Sequence, residues 1–225
     1  MSETNNFCKV IIASSLCFSE NIDTIIDALP FGEAEKTRLS SINNPAYKQS
    51  SLSALLCLAE LLSLTELSAK DKTILRERGG KPYFAELDLF FSISHAEDTV
   101  AVALSDSPVG IDVEFIDTKR DTASLSRRFF APEEHKSISE STCPEDAFFA
   151  LWTKKEALSK ISGKGLSSIC RADTLASDYD FSLFTINDGD KRAYLSVCRE
   201  HCACAPMLNK DFLIKKRCDL YEIQN

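Results

Sequence analysis

The chain has 225 residues, 44 % of them hydrophobic and 27 % charged, with 26 Lys and Arg against 34 Asp and Glu for a formal net charge of −8. This is the composition of a folded chain of one or two domains, and with only seven Gly and seven Pro it excludes disordered, collagen-like and linker-dominated classes. The acidic balance argues against a nucleic-acid footprint, which needs a basic face, and points to small molecules or proteins as partners.

In chain order, MSETNNFCKV lacks the basic start and apolar run of a secretory signal. No stretch of about 18 uncharged apolar residues is present to span a bilayer, so a cytoplasmic protein without membrane attachment is expected. The nine cysteines, odd in number and without a framework, are expected as reduced thiols. Clusters of β-branched and aromatic residues predict strands over 7–17, 87–94 and 99–104, with His95, Glu97 and Asp98 in the turn between the last two. Apolar spacing predicts a buried helix over Leu52–Leu62, after a polar segment holding Lys36, Arg38 and Lys48.

Beyond a boundary near Gly110, alternation in IDVEF puts Ile111, Val113 and Phe115 on one side and Asp112 and Glu114 on the other. A helical region follows around 120–141. The next helix is expected to be capped by Ser141 or Thr142, to begin at Pro144 and to end at Gly163, before strands over 180–185 and 192–198. The fold class expected is α+β, with two pseudo-duplicated α/β halves, 1–109 and 110–225, each a small antiparallel sheet packed with helices.

Three clusters carry chemistry. Asp112 and Glu114, two apart on a strand, project from one face; either that face is solvated or a cation sits between the carboxylates. Helical spacing stacks Trp152, Glu156 and Lys160 on one stripe with Lys155 on an adjoining face, a pattern shared with ordinary surface Glu–Lys pairs, but here the indole implies nearby buried surface. Gly79-Gly-Lys81-Pro, shortly ahead of Phe91-Ser-Ile-Ser94-His95, offers backbone N–H groups and an ammonium to a phosphate, and the spacing of a Walker loop is missing.

The ordered set GKPYF, FSISHA, GIDVE, RRFFAPEE and LWTKKEALSKISGKGLS, spanning about residues 79–168, resembles the 4′-phosphopantetheinyl transferase superfamily of the longer, surfactin-synthetase-activating type. The resemblance implies transfer of the phosphopantetheine arm of coenzyme A to a serine of an apo acyl or peptidyl carrier protein. Adenosine 3′,5′-bisphosphate is released, Mg²⁺ is used, and the active site lies in the cleft between the halves. It also implies a monomer, because one chain holds both halves.

By motif, Asp112, Glu114 and Glu156 would line the Mg²⁺ site, and Glu156 or a metal-organised water would take the serine proton. Lys160, with Lys155 sharing the task, would neutralise charge on the transfer path. Lys81, Ser94 and His95 would hold the 3′-phosphate of coenzyme A, with Lys36 and Lys48 as outer contributors. Arg127, Arg128, Phe129 and Phe130 are candidates for carrier docking. The alternatives are a non-catalytic coenzyme A or carrier-binding protein of the same fold, or an unrelated Mg²⁺-dependent phosphotransferase. Cys198, His201, Cys202 and Cys204 match no usual zinc spacing, His135 is expected to be solvated, and Lys210–Arg217 is too short for a nucleic-acid or membrane anchor.

Overall fold

A computed structural model describes residues 7–15, 22–65, 72–163, 165, 170–200 and 222–224. The end of the first expected strand at 16–17, the thiols and imidazole of residues 201–204 and the basic stretch Lys210–Arg217 lie outside the described residues. The described chain falls into two compact units that part between Ser107 and Pro108, where the sequence suggests a boundary near Gly110.

The first unit is built on a three-stranded antiparallel sheet of β1 (Cys8–Ser14), β5 (Thr99–Ser105) and β4 (Phe90–Ala96), in the order β1-β5-β4. Every residue of β5 is buried, as a central strand requires, and α3 (Pro45–Ser63) lays Leu52, Leu55, Leu58 and Leu62 into the same core as Ile11, Val100 and Val102. Helices α1 (Ile22–Ala28) and α2 (Glu33–Ser40) precede α3. Strands β2 (Ile74–Arg76) and β3 (Pro82–Phe84) form a separate short hairpin, which buries Ile74 and Phe84 in that core.

Two expectations change here. Helix α3 starts seven residues before Leu52, because Asn44 caps it by accepting from the Tyr47 N–H at 3.0 Å and Pro45 occupies the first helical position; its polar first turns hid it. His95 is not in the turn but within β4, opposite Val100, and the turn itself is Glu97-Asp98, with Glu97 in the left-handed region at φ 51°.

The second unit carries a four-stranded antiparallel sheet of β6 (Val109–Phe115), β8 (Lys191–Glu200), β7 (Tyr179–Asp188) and β9 (Glu222–Gln224), in the order β6-β8-β7-β9. The expected helical region is two helices, α4 (Thr122–Phe129) and α5 (Pro132–Ser139), parted at Phe130 because Pro132 cannot continue α4 and starts α5 instead. Helix α6 (Pro144–Ser162) begins after Cys143 rather than on a Ser or Thr cap, and Gly163 ends it in the left-handed conformation at φ 65°. Each unit thus has an antiparallel sheet and a 19-residue helix, while the number and order of strands differ.

Candidate active site

The site in the second unit begins with a missing side chain. A Cβ on Gly110 would stand 1.9 Å from the Ala157 carbonyl oxygen, so only glycine lets β6 lie this close to α6. That contact sets the strand that carries Asp112 and Glu114 against the helix that carries Glu156 and Lys160.

Asp112 is buried, and its Oδ1 accepts from Lys160 Nζ at 2.9 Å while the same ammonium donates to the Ile111 carbonyl at 2.8 Å. Glu114, two residues on, is half-buried and lies 3.9 Å from the Arg120 guanidinium. Its carboxyl is pushed above the usual range, by burial first and then by the charge of Asp112, with Arg120, a hydrogen bond from Trp152 and Lys160 opposing. Glu156 is pushed up to about 7: burial is the largest cause, Asp112 the next, and Glu114 adds to it against the pull of Lys160. These interactions put the three carboxylates and Lys160 in one electrostatic neighbourhood.

Among the described residues no group of three or more His, Cys, Asp or Glu side chains is arranged to hold a metal ion. The donor set has the chemistry of a hard cation site: oxygen donors only, Asp112 buried and Glu114 and Glu156 half-buried, on regular elements, with Glu114 and Glu156 destabilised as anions. A divalent cation placed among them would relieve that repulsion.

Lys155 requires a correction. Instead of joining Lys160 it is fully buried on another side of α6, where its Nζ pairs with Glu134 at 2.7 Å and donates to the Ala172 carbonyl at 2.5 Å. One residue along a helix turns the side chain by about 100°, which takes it off the Glu156–Lys160 face. Glu134, also fully buried, accepts from the Ala131 N–H (2.9 Å), the Thr174 N–H (2.9 Å) and the Thr174 hydroxyl (2.6 Å) as well, so this charge pair is satisfied and structural. The charged run EEHK masked Glu134; the signal for it was its position three residues after Ala131, where a Glu bonds back to the start of its helix.

Trp152 packs as its stripe implies, stacked on Phe148 at 5.5 Å between centroids, and also donates to Glu114. Phe130 belongs to this aromatic cluster and is buried, which removes it from a docking surface; Phe129 is half-buried with the Arg128 guanidinium over its ring at 4.9 Å, and Arg127 and Arg128 are exposed. His135 is not simply solvated: its Nδ1 lies 2.9 Å from the buried Ser126 hydroxyl. Cys198 is a buried free thiol on β8.

In the first unit the expected phosphate-binding residues are spread over α2, α3, the β2–β3 hairpin and β4. Lys36 on α2 donates to the Asp27 carbonyl at 2.8 Å and pairs with Glu33 at 3.3 Å, and Lys48 on α3 donates to the Ser40 carbonyl at 3.0 Å. Lys81 follows the turn between β2 and β3, its ammonium lowered by burial against the pull of Glu77. Ser94 is buried and His95 exposed on β4, and the His95 ring lies 6.4 Å from that of Tyr47. No helix among the described residues is long and apolar enough to cross a membrane.

Residues 108–211 match the model of the 4′-phosphopantetheinyl transferase superfamily. The chain is 34 % identical over 143 residues to the 4′-phosphopantetheinyl transferase AcpT of Escherichia coli (strain K12), covering 61 % of this chain and 70 % of that protein. It is 32 % identical over 137 residues to a 4′-phosphopantetheinyl transferase of Bacillus subtilis, covering 54 % and 60 %, and 35 % identical over 105 residues to the transferase Sfp of Bacillus subtilis (strain 168), covering 45 % and 46 %. The chain spans about half the length of most of the curated relatives it matches.

Proposed function

We propose a Mg²⁺-dependent group transfer for this chain, which belongs to the 4′-phosphopantetheinyl transferase superfamily: the phosphopantetheine arm of coenzyme A passes to a serine of an apo acyl or peptidyl carrier protein. The serine oxygen bonds to the phosphorus as the bond to adenosine 3′,5′-bisphosphate breaks. The observation that carries the reading is the convergence of Asp112, Glu114, Glu156 and Lys160 on the β6–α6 contact.

Asp112, Glu114 and Glu156 would hold Mg²⁺, which would supply charge neutralisation and orientation of the pyrophosphate. Glu156, or a water organised by the metal, accepts the serine proton; without the cation, burial and the neighbouring Asp112 push the Glu156 carboxyl up to about 7, and a bound cation would lower it. Lys160, anchored on Asp112 and the Ile111 carbonyl, brings positive charge to the phosphoryl oxygens. Lys81, Ser94 and His95 hold the 3′-phosphate of coenzyme A, with Lys36 and Lys48 further out, and the exposed Arg127 and Arg128 meet the carrier. The reading takes the protein as a monomer working in the cytosol.

Incubation with apo carrier protein, coenzyme A and Mg²⁺ is expected to make the carrier heavier by one phosphopantetheine arm, read by intact mass. Glu156→Gln is expected to keep the fold and lose about 10²-fold or more in rate. Unmodified carriers across acyl and peptidyl classes would replace the enzyme reading with that of a binding protein.

A further inference from the structure

Glu35 stands in the first turn of α2 with 3 % of its surface exposed, and a carboxylate so buried needs charged partners. It has two. Arg38 Nη2 and Nε reach its Oε1 at 2.7 and 2.9 Å, and Arg76 Nη2 reaches the same oxygen at 2.9 Å. Arg76 is the last residue of β2, and its other terminal nitrogen donates to the Gly80 carbonyl at 3.3 Å. One guanidinium thus joins a buried acid on α2 to the turn that carries Lys81. That turn is closed by Gly80 N–H to Glu77 O at 2.8 Å and Glu77 N–H to Lys81 O at 2.9 Å, and Gly80 sits at φ 86°. Glu77, Arg78, Gly79 and Gly80 are all exposed, and the flanking strands have three residues each, too few to fix the turn by pairing alone.

We infer that Arg76, seated on Glu35, is a positioning residue for Lys81: it fixes the Glu77–Lys81 turn and thereby where the lysine ammonium stands. The inference rests on the transferase reading, in which Lys81 meets the 3′-phosphate of coenzyme A, and adds to it a residue that never touches the substrate. Two arginines on one acid divide the work. Arg38 keeps Glu35 paired when Arg76 is removed, so loss of Arg76 releases the turn without stranding a buried charge.

The experiment is a double-mutant cycle read by calorimetric titration of coenzyme A into wild type, Arg76→Gln, Lys81→Ala and the double variant, with thermal melts alongside. Arg76→Gln is expected to melt near wild type and to bind coenzyme A roughly tenfold more weakly, Lys81→Ala to lose at least as much, and the double variant to bind no more weakly than Lys81→Ala. Wild-type affinity in Arg76→Gln, or losses that multiply in the double variant, would overturn the inference while leaving the transferase reading in place. Failure of wild type itself to bind coenzyme A would remove both. Should Arg76→Gln not fold, Arg76→Lys, which keeps a cation on Glu35 but lacks the fork that also reaches Gly80, takes its place in the cycle.

Discussion

The two units handle charge in opposite ways. In the second, three carboxylates and one lysine converge on the contact between a strand and a helix, and the acids raise one another's affinity for protons. In the first, cations are spread over α2, α3 and the β2–β3 hairpin, and most are already engaged: Lys36 and Lys48 with backbone carbonyls, Arg38 and Arg76 with Glu35. The difference teaches what each arrangement would favour: clustered acids would be relieved by a cation placed among them, whereas a lysine on a neutral carbonyl makes a modest bond that a fully charged phosphate oxygen would outcompete.

The sharpest way to break the contrast is to part strand from helix. Gly110→Ala puts a methyl group 1.9 Å from the Ala157 oxygen, and is expected to destabilise the second unit by about 3 kcal/mol or more and to abolish carrier modification. Denaturant unfolding checks the first and intact mass the second; a wild-type midpoint would mean that the seam is not needed. Next in size is Lys155→Met. Removing one partner of a fully buried pair is expected to cost about 3 to 5 kcal/mol, with the transfer rate per folded molecule little changed, which separates this lysine from Lys160. A large rate loss at unchanged stability would put Lys155 back among the substrate-binding residues.

The smallest effect is a slope. The folded protein holds the Glu156 proton to about pH 7, against an ordinary value of 4.5, so the native state binds more protons than the unfolded chain over that interval. Stability of chelator-treated protein is therefore expected to fall as pH rises from about 4.5 to 7 and then to level, and the fall is expected to shrink in Glu156→Gln or with added Mg²⁺. Identical melting profiles for wild type and Glu156→Gln across that range would show that the carboxyl titrates normally.

Strands and long helices were legible wherever side-chain period was unbroken, as in IDVEF and in the run from Pro144 to Gly163. The acids of the site were legible because strand spacing puts Asp112 and Glu114 on one face and helix spacing puts Glu156 and Lys160 on one stripe. Lys155 differs from the expected shared role because residue type gives Lys155 and Lys160 the same chemistry: helix spacing already sets Lys155 on an adjoining face, and the tertiary position of Glu134 makes that face a buried ion pair. Likewise Glu35 and Arg76 are 41 positions apart in sequence, so nothing local signals that they meet. The start of α3 was hidden by its polar first turns, whose helical state depends on Asn44 and Pro45 rather than on buried apolar residues.

The glycine seam between β6 and α6 also limits how the second unit can respond to what it binds. At Gly110 the strand backbone meets the Ala157 carbonyl with the Ile161 side chain beside it, so β6 cannot move closer to α6 there without a clash. In the transferase reading, adjustment to a ligand in that unit would therefore fall first to the side chains of Glu156, Lys160 and Glu114 rather than to the main chain beneath them.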